Sequence, residues 1–428
     1  MAITEKSPYQ MFAQPSLPQS WEADFRDNLA NWPIELHSQL EKARQMAYSL
    51  GLPDRKDESW RWMDYKRLDF ESLKVDSKTS TLHLTVSYFN GNADEQPISS
   101  SLPDGVVITT LAEFFDHHHD LAVRLLRDNN LVNEGTFAAL PSALANNGLM
   151  VYIPQDVKLE GMIQCLLEVP LANRAVFARS LVYLEEGASL NLELVWTSPD
   201  SDTGGFYDGI LDVRLAEQSS LHLDERQQFA RADWNIGHAT ASLAEGSKLE
   251  WNYAAVGSGI SKNFIKAELK GMGSSAVLNG AMFPTAGQVI NLDTRQNHWA
   301  ESTFSNLMYK SVVSESGRSV WHGMIYVDPE AQKTDAYQTN KNLILDDLAD
   351  VKSVPGLEIR ANDVKCSHGA TVGKIDPEEL YYLQSRGISQ NEAEKLIVEG
   401  FFNQVVQPFY LEKTKRELLD LLMSRMNS

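Results

Sequence analysis

The residues best suited to bind a metal ion lie near the C-terminus, in the stretch Cys366-Ser367-His368. In an extended chain, the side chains of residues i and i+2 point to the same side, so those of Cys366 and His368 can reach the same ion. A thiolate and an imidazole are both good ligands for iron or zinc. Two side chains cannot close a four-coordinate site, and the only other cysteine is the distant Cys165. The pair is therefore structural or half of a site that another chain completes, and taken alone the structural interpretation is favoured.

Three consecutive imidazoles, from His117 to His119, are flanked by Asp116 and Asp120. On a helix, consecutive side chains fan out by about 100° each, so the three cannot converge on one ion. The two aspartates share a face but lack a third fixed ligand. We therefore predict a solvated helix face here rather than a zinc site.

A glycine-rich stretch at residues 271–276 has the spacing GxGxxA. A dinucleotide-binding loop must open a helix, so that amide groups and the helix dipole meet the pyrophosphate. The residues that follow, up to Pro284, are poor helix formers. We predict a turn between strands. A GxxxxGK[ST] loop is absent as well, so this chain is expected neither to bind nor to hydrolyse nucleotide.

The central region also contains scattered acidic and basic residues that could serve an enzyme. They are Asp224, Glu225, Arg226, Asp233 and Asp293. Enzymes built on a β-helix cleave acidic polysaccharides with such groups, so this class remains an alternative. A secretory signal would normally accompany it, and residues 1–6 show none. Solvated, outward-facing positions are the expected explanation of these charges.

Composition limits the class of protein further. The chain has 428 residues, 43% of them hydrophobic, and 38 basic against 58 acidic residues give a net charge of −20. Such a surface repels phosphate backbones and anionic lipid, so nucleic acid and membranes are not expected partners. Cys165 lies among apolar neighbours and is predicted to be a buried, inert thiol. Two cysteines this far apart, with no signal peptide, predict a reducing cytoplasm.

The elements that position these residues fall into three regions. Residues up to about 73 are predicted to be helical, with an amphipathic helix at 34–47 that Gly51 and Pro53 end. A mixed stretch to about residue 150 contains a strand at 106–109 and a helical pattern at 111–127.

The centre, from about residue 151 to 345, alternates polar and apolar residues with the period of two that a half-buried strand requires. Leu190, Leu221 and Leu249 each follow a similar turn sequence, at spacings of 31 and 28 residues. A strand-rich repeat of this length without intervening helices predicts a parallel β-helix, with an antiparallel β-sandwich as the alternative. Residues 316–320 look like a later copy of the repeat.

The last region is predicted to be helical. Asp376 and Pro377 combine a capping oxygen with a proline at the first helical position. Ser389 and Glu392 form a capping box that opens a second helix. A third amphipathic segment is expected at residues 415–423.

Several motifs in order resemble the SufB/SufD family. They are residues 322–325, 334–345, 355–359, 363–371 and 382–388, with an N-terminal Trp-Arg signature at 58–62. Many motifs in sequence within about 80 positions are a far stronger constraint than any lone pattern. The resemblance implies a right-handed parallel β-helix core (residues 151–365) between an N-terminal helical and mixed sub-domain (1–150) and a C-terminal helical sub-domain (366–428).

The Cys-Ser-His-Gly-Ala form and the chain length resemble the SufD type rather than the SufB type. This implies a non-catalytic scaffold that pairs with a SufB-type subunit and contacts a SufC-type ATPase through its C-terminal helices. A transient iron–sulfur cluster or iron is expected at the subunit interface, with His368 as the main ligand and Cys366 as a second one. A homodimer is expected when the partner is missing. The alternatives are a polysaccharide-active enzyme and a purely structural subunit.

Overall fold

The computed structural model describes residues 17–53, 56–64, 67–75, 82–90, 96–97, 102–127 and 130–427. The N-terminal segment at residues 1–6, which shows no signal peptide in the sequence, lies outside these ranges. Among the residues described, no helix combines the length and the apolar character needed to cross a membrane.

Five helices precede or accompany the first strands: α1 Ser20–Leu29, α2 His37–Leu50, α3 Leu111–His117, α4 His119–Leu126 and α5 Thr136–Leu144. The amphipathic helix predicted at 34–47 is confirmed, as a short 3-10 turn leading into α2. It ends at Gly51, whose φ of 63° favours glycine. The single helix predicted at 111–127 is instead two helices, because the chain leaves helical geometry at His118.

Twenty strands are described, nearly all in the centre of the chain. They are β1 Lys74–Val75, β2 His83–Phe89, β3 Gln96–Pro97, β4 Val107–Thr110, β5 Leu149–Ile153, β6 Lys158–Glu168, β7 Arg174–Leu184, β8 Ser189–Thr197, β9 Phe206–Leu215, β10 Ser220–Gln228, β11 Trp234–Leu243, β12 Lys248–Ala255, β13 Ile260–Leu269, β14 Ser275–Met282, β15 Val289–His298, β16 Phe304–Val313, β17 Arg318–Val327, β18 Asp335–Ile344, β19 Asp350–Ile359 and β20 Lys365–Lys374.

From β5 onward the strands alternate between two facing parallel sheets. One sheet, called here the odd sheet, ends at β19, and the other, the even sheet, ends at β20. Leu190, Leu221 and Leu249 pair in one register across β8, β10 and β12, which confirms the predicted repeat and the parallel solenoid. The right-handed winding stays a prediction.

The copy of the repeat predicted at residues 316–320 is a turn and strand, but it belongs to the opposite sheet. Arg318 begins β17 of the odd sheet, whereas the leucines lie in the even sheet. The reason is that both corners of each coil require a tight turn, so similar turn sequences occur at both. A turn sequence of this kind therefore predicts where a strand starts, but not which of the two sheets that strand joins.

The three largest clusters of buried hydrophobic residues lie in different layers. The inward faces of both sheets fill the lumen with aliphatic and aromatic side chains. The N-terminal helices pack on the outer face of the odd sheet, where Trp21, Phe137 and Phe206 are buried together. The C-terminal helices cover the outer face of the even sheet, burying Phe283 and Phe402. Both sheets are thus covered on both faces over most of their length.

Three helices follow the solenoid: α6 Pro377–Ser385, α7 Gln390–Val406 and α8 Glu412–Ser424. The predicted caps are confirmed, since Asp376 accepts from the Glu378 amide and Ser389 forms a capping box with Glu392. The predicted start of the helical region at residue 366 differs from the structure. Strand β20 pairs in register with β18 as far as Lys374, because this stretch still completes the last coil of the solenoid.

Candidate metal site at the open end of the solenoid

Cys366 and His368 lie on β20, the terminal strand of the even sheet. Their register partners on β18 are Ala336 and Gln338, both buried in the lumen. Because side chains in register share a face of the sheet, Cys366 and His368 point along the same inward row. The structure therefore brings both predicted site residues to one face. They lie at the open end of the lumen, formed by β19 and β20 and called here the mouth.

Among the residues described, no strand pairs with the free edge of β20 or of β19. His368 is consequently exposed, although the same row in earlier coils holds fully buried Trp251 and Leu307. Cys366 is half-buried and packs against a small buried cluster that includes Ala336. The mouth is an inward-facing surface that nothing in the described chain covers.

The two candidate ligands, Cys366 and His368, are not equally suited to bind a metal ion. Burial raises the pKa of the Cys366 thiol, and the nearby Asp335 carboxylate adds to that rise. Since the thiolate is the metal-binding form, this thiol is a poorer ligand at neutral pH than an unperturbed cysteine. The imidazole of His368 is the more exposed of the two side chains. The geometry therefore favours His368 as the main donor.

The donor set is incomplete within this chain. Within the described ranges, no group of three or more His, Cys, Asp or Glu side chains is arranged to hold a metal ion. Cys366 and His368 can supply two ligands at most, which is half of a tetrahedral site. A thiolate and an imidazole both suit iron, and any further ligands would have to come from outside the described residues.

Two of the sites considered in the sequence behave as predicted. Residues 271–274 form a turn between β13 and β14, with Gly273 at a φ of 69°, and residues 275–276 begin β14. Cys165 is completely buried in the lumen beside Leu194, and burial raises the pKa of its thiol. The first cannot cradle a pyrophosphate, and the second is an inert packing residue.

The histidine run also forms no metal site. His118 lies between α3 and α4, with its ring 5.8 Å from that of Phe114. His119 instead faces Glu35, at 3.8 Å. The rings of His118 and His119 thus face different neighbours, but the cause is the break between the two helices at His118 rather than the continuous helix face that the sequence predicted.

The prediction that the central charges are solvated was wrong. Asp224, Glu225, Arg226 and Asp233 are all buried. Asp224 does face outward from the even sheet, but α8 and its preceding turn cover it, and it accepts from the Tyr410 amide at 2.7 Å. Glu225 faces the lumen, where burial raises the pKa of its carboxyl to about 7.

The fifth charge, Asp293, belongs to a cluster on the outer face of the odd sheet. It pairs with Lys262, whose ammonium is fully buried and also bonds Asn291 at 2.9 Å. Trp60 of the N-terminal Trp-Arg signature lies over this ammonium, at 6.0 Å from its ring centroid. The cluster thus anchors the N-terminal layer to the solenoid, a role that alternation alone could not reveal.

Sequence reasoning missed Glu193, which is buried and pairs with Arg226 at 2.8 Å. It also accepts from Thr414 of α8 at 3.0 Å. A usable signal was present, because Glu193 and Asp224 occupy one register position on adjacent strands. Two carboxylates at one register position on adjacent strands repel each other. Such a pair therefore indicates that a cation or a hydrogen-bond donor lies close to both.

The fold defines the class first: a parallel β-solenoid flanked by helices, with a cysteine and a histidine side by side on one face of its last strand. Comparison with known families then identifies it. A model of the SufBD core domain of the SUF iron–sulfur cluster assembly system matches residues 169–401, and one of the SufBD N-terminal region matches 74–165. The chain belongs to the SufBD family.

Curated relatives agree with this assignment. An iron–sulfur cluster assembly SufBD family protein of Staphylococcus epidermidis is 28% identical over 279 residues, which is 65% of this chain and 59% of the relative. Proteins described in the same words from Staphylococcus saprophyticus and Staphylococcus aureus are 27% identical over the same length and the same shares of both chains. The match thus spans about three fifths of these relatives.

Proposed function

We propose that this chain is a SufD-type, non-catalytic scaffold subunit that works in the cytoplasm and pairs with a SufB-type subunit. A nascent iron–sulfur cluster forms between them, with His368 and then Cys366 as the ligands from this side. The observation that carries the proposal is the uncovered mouth, where two inward-facing donors lie on the last strand. The N-terminal helices, the solenoid as far as β20 and the helices from α6 onward would serve as anchoring layer, scaffold and ATPase contact, respectively.

The mouth has the character of a pairing surface. Val354, Ile359 and Val372 are exposed apolar side chains on β19 and β20. Exposed strand edges and apolar patches of this kind are usually covered by a partner. A SufB-type solenoid docked end to end would pair the free edges and bring its own thiolate to His368. The same surface would let the isolated chain form a homodimer.

Val372→Asp is expected to prevent pairing with a SufB-type subunit. Val372 is 50% exposed on the inward face of β20, so a carboxylate there would be buried without a partner in the docked complex. We expect at least a hundredfold weaker association, about 3 kcal/mol, measured with purified subunits by calorimetry. Met272→Asp is the matched control, since Met272 is 52% exposed on a turn remote from the mouth. Equal affinity of both variants for the partner would refute end-to-end docking.

The assignment to the SufD rather than the SufB type is supported by the cysteines. A SufB-type chain is expected to carry a further functional cysteine within the solenoid. Here the only cysteine before Cys366 is Cys165. Its side chain is completely buried in the core, and burial raises the pKa of its thiol. An inaccessible neutral thiol is unsuited to accept sulfur or bind metal.

The C-terminal helices offer a surface for the ATPase. None of the residues of α6 is buried, and Tyr381 and Tyr382 are 72% and 57% exposed. Helix α6 starts at Pro377, directly after β20. A partner that moves α6 would therefore act on the strand that carries His368, which is how ATP binding could change access to the cluster site.

Replacing Tyr381 and Tyr382 together with serine is expected to abolish co-purification with a SufC-type ATPase. Aromatic side chains often dominate the binding energy of an interface, and the loss of one typically costs about 2 kcal/mol or more, which is about a thirtyfold loss of affinity per residue. Folding should be unaffected, because neither ring is buried in this chain. Ile34→Ser, at an equally exposed apolar position in the N-terminal layer, is the control and should leave ATPase recovery unchanged. Full recovery with the double variant would contradict the proposed contact.

The alternative of a polysaccharide-active enzyme gains no support from the site. The carboxylates it requires, Asp224 and Glu225, are buried beneath helices or in the lumen. A polymer could not reach them without unfolding the solenoid. Assays of the purified chain on uronate polymers are expected to show no cleavage.

A further inference from the structure

We infer that the lumen of the solenoid contains a binding site for a small monovalent cation, such as K⁺ or NH₄⁺, beside the Glu225 carboxylate. The site lies between the two sheets at the level of β8 to β13, several coils away from the mouth. It requires neither a metal ion at His368 nor a partner chain. The cation site is therefore independent of the proposed scaffold function.

An internal cavity of about 40 Å³ gives this cation room. Its walls come from both sheets, with Glu225 and Tyr253 of the even sheet facing Tyr207 and Asn235 of the odd sheet. Glu225 lies inside the lumen, yet 8% of its surface is accessible, because its side chain borders the cavity. A space of this volume holds about two or three particles the size of a water molecule, and K⁺ and NH₄⁺ are close to that size.

Two glycines make space for the polar side chains of the odd sheet. Gly209 and Gly237 are register partners on β9 and β11. A Cβ at Gly209 would lie 2.4 Å from the Tyr207 hydroxyl, and one at Gly237 would lie 2.3 Å from Oδ1 of Asn263. Glycine at both positions thus lets polar groups, rather than aliphatic ones, line this part of the lumen.

Glu225 brings a carboxyl group into this space without a counter-ion. Its two oxygens accept from the indole nitrogens of Trp196 at 3.2 Å and Trp251 at 3.0 Å. Burial raises the pKa of Glu225, and among the residues described these two N–H groups are the only ones that oppose the rise. Because a buried carboxylate is costly unless a positive charge accompanies it, a cation in the cavity would supply what the chain lacks.

The other polar groups at the cavity have oxygen atoms to offer rather than N–H groups. The side-chain nitrogens of Gln227, Asn235 and Asn263 already donate to serine hydroxyls. The Tyr253 hydroxyl is buried and has no hydrogen-bond partner in the described part of the chain. Buried polar groups are rarely left unpaired, so this oxygen is the second expected ligand of the ion.

Aromatic rings complete the wall and favour a single positive charge. The Tyr207 ring packs between Trp196 and Phe229, with centroids 5.7 and 5.0 Å away, and all three rings line the cavity. The face of an aromatic ring attracts a cation, more strongly where water is excluded. Ca²⁺ takes about six to eight oxygen ligands, which this wall does not provide, whereas one carboxylate balances one monovalent ion.

The test is urea unfolding of the purified full-length chain at pH 8, in potassium chloride and in N-methyl-D-glucamine chloride of equal ionic strength. A ligand that binds only the folded state lowers the unfolding equilibrium constant, by about tenfold at ten times its Kd. We expect this decrease with K⁺ and with NH₄⁺, but not with N-methyl-D-glucamine, which is too large for the cavity. Crystals soaked in rubidium chloride should show an anomalous peak beside Glu225.

Three variants assign the effect to this cavity. Glu225→Gln should remove the K⁺ dependence of unfolding. Tyr253→Phe should weaken K⁺ binding about tenfold, and it keeps the site testable if the glutamine variant folds poorly. Asp208→Asn is the matched control, since Asp208 is a fully buried acid on the outer face of β9 and should leave the K⁺ dependence unchanged.

Equal unfolding of the native chain in the two salts would show that the cavity holds only water, and would overturn the inference. A K⁺ effect that persists in Glu225→Gln, or a rubidium peak found only elsewhere, would overturn it as well. None of these measurements involves iron or a partner, so their failure leaves the proposed scaffold function untouched.

Discussion

Replacement of His368 with alanine is expected to abolish cluster assembly by the complex while leaving this chain folded. The imidazole is exposed at the mouth and supports no buried contact, so the free energy of unfolding should change by less than about 0.5 kcal/mol. Removal of a direct ligand should lower bound iron and acid-labile sulfide at least about tenfold. Both contents are measured on the complex purified with its partners.

Two neighbours serve as controls for that result. Ser367→Ala, on the opposite face of β20, should be without effect. Cys366→Ala should have a smaller effect than His368→Ala, because the raised pKa of Cys366 makes it the weaker donor. Normal maturation of iron–sulfur enzymes in cells that carry only His368→Ala would refute the role of this histidine. If neither variant had an effect but deletion of the C-terminal helices did, the chain would be a purely structural subunit.

The solenoid and the terminal helices could be predicted because their signals are local. Leu190, Leu221 and Leu249 follow similar turns at nearly constant spacing, and they do stack in register. The cap at Ser389 needs only Glu392 three residues away. Periodicity and capping act within a few residues, so a single sequence contains them.

The environment of the charges could not be predicted because it depends on distant parts of the chain. Alternation places Asp224 on the outer face of its strand, but only the tertiary fold brings Tyr410 of the C-terminal region onto it. The site shows the same limit. The spacing of Cys366 and His368 predicts that they share a face. It does not predict that His368 is exposed, because exposure follows from β20 being the last strand of its sheet. The sequence alone left open whether the pair is structural or half of a metal site, and the fold adds that both side chains lie on the uncovered last strand.

Arg226→Ala is expected to destabilise the protein by about 3–5 kcal/mol, because it leaves a buried carboxylate without its counter-ion. The Arg226 guanidinium binds Glu193 at 2.8 Å and reaches Glu417 of α8 at 3.3 Å. Its loss should therefore loosen the C-terminal helices from the even sheet. Urea unfolding followed by tryptophan fluorescence measures the cost, and limited proteolysis should show earlier cleavage within α8.

The pH dependence of that loss identifies its cause. Burial raises the pKa of Glu193, and Arg226 opposes the rise. Since the folded state then holds this proton more tightly than the unfolded state, ionisation weighs against folding as pH increases above the usual range of a glutamate. Without Arg226 the pKa rises further, so the variant should lose more stability at pH 8 than at pH 5. Adding Glu193→Gln to an Arg226→Met background should recover most of the lost stability and remove this pH dependence. A small loss of stability in Arg226→Ala that is equal at both pH values would show that the ion pair is not coupled to folding.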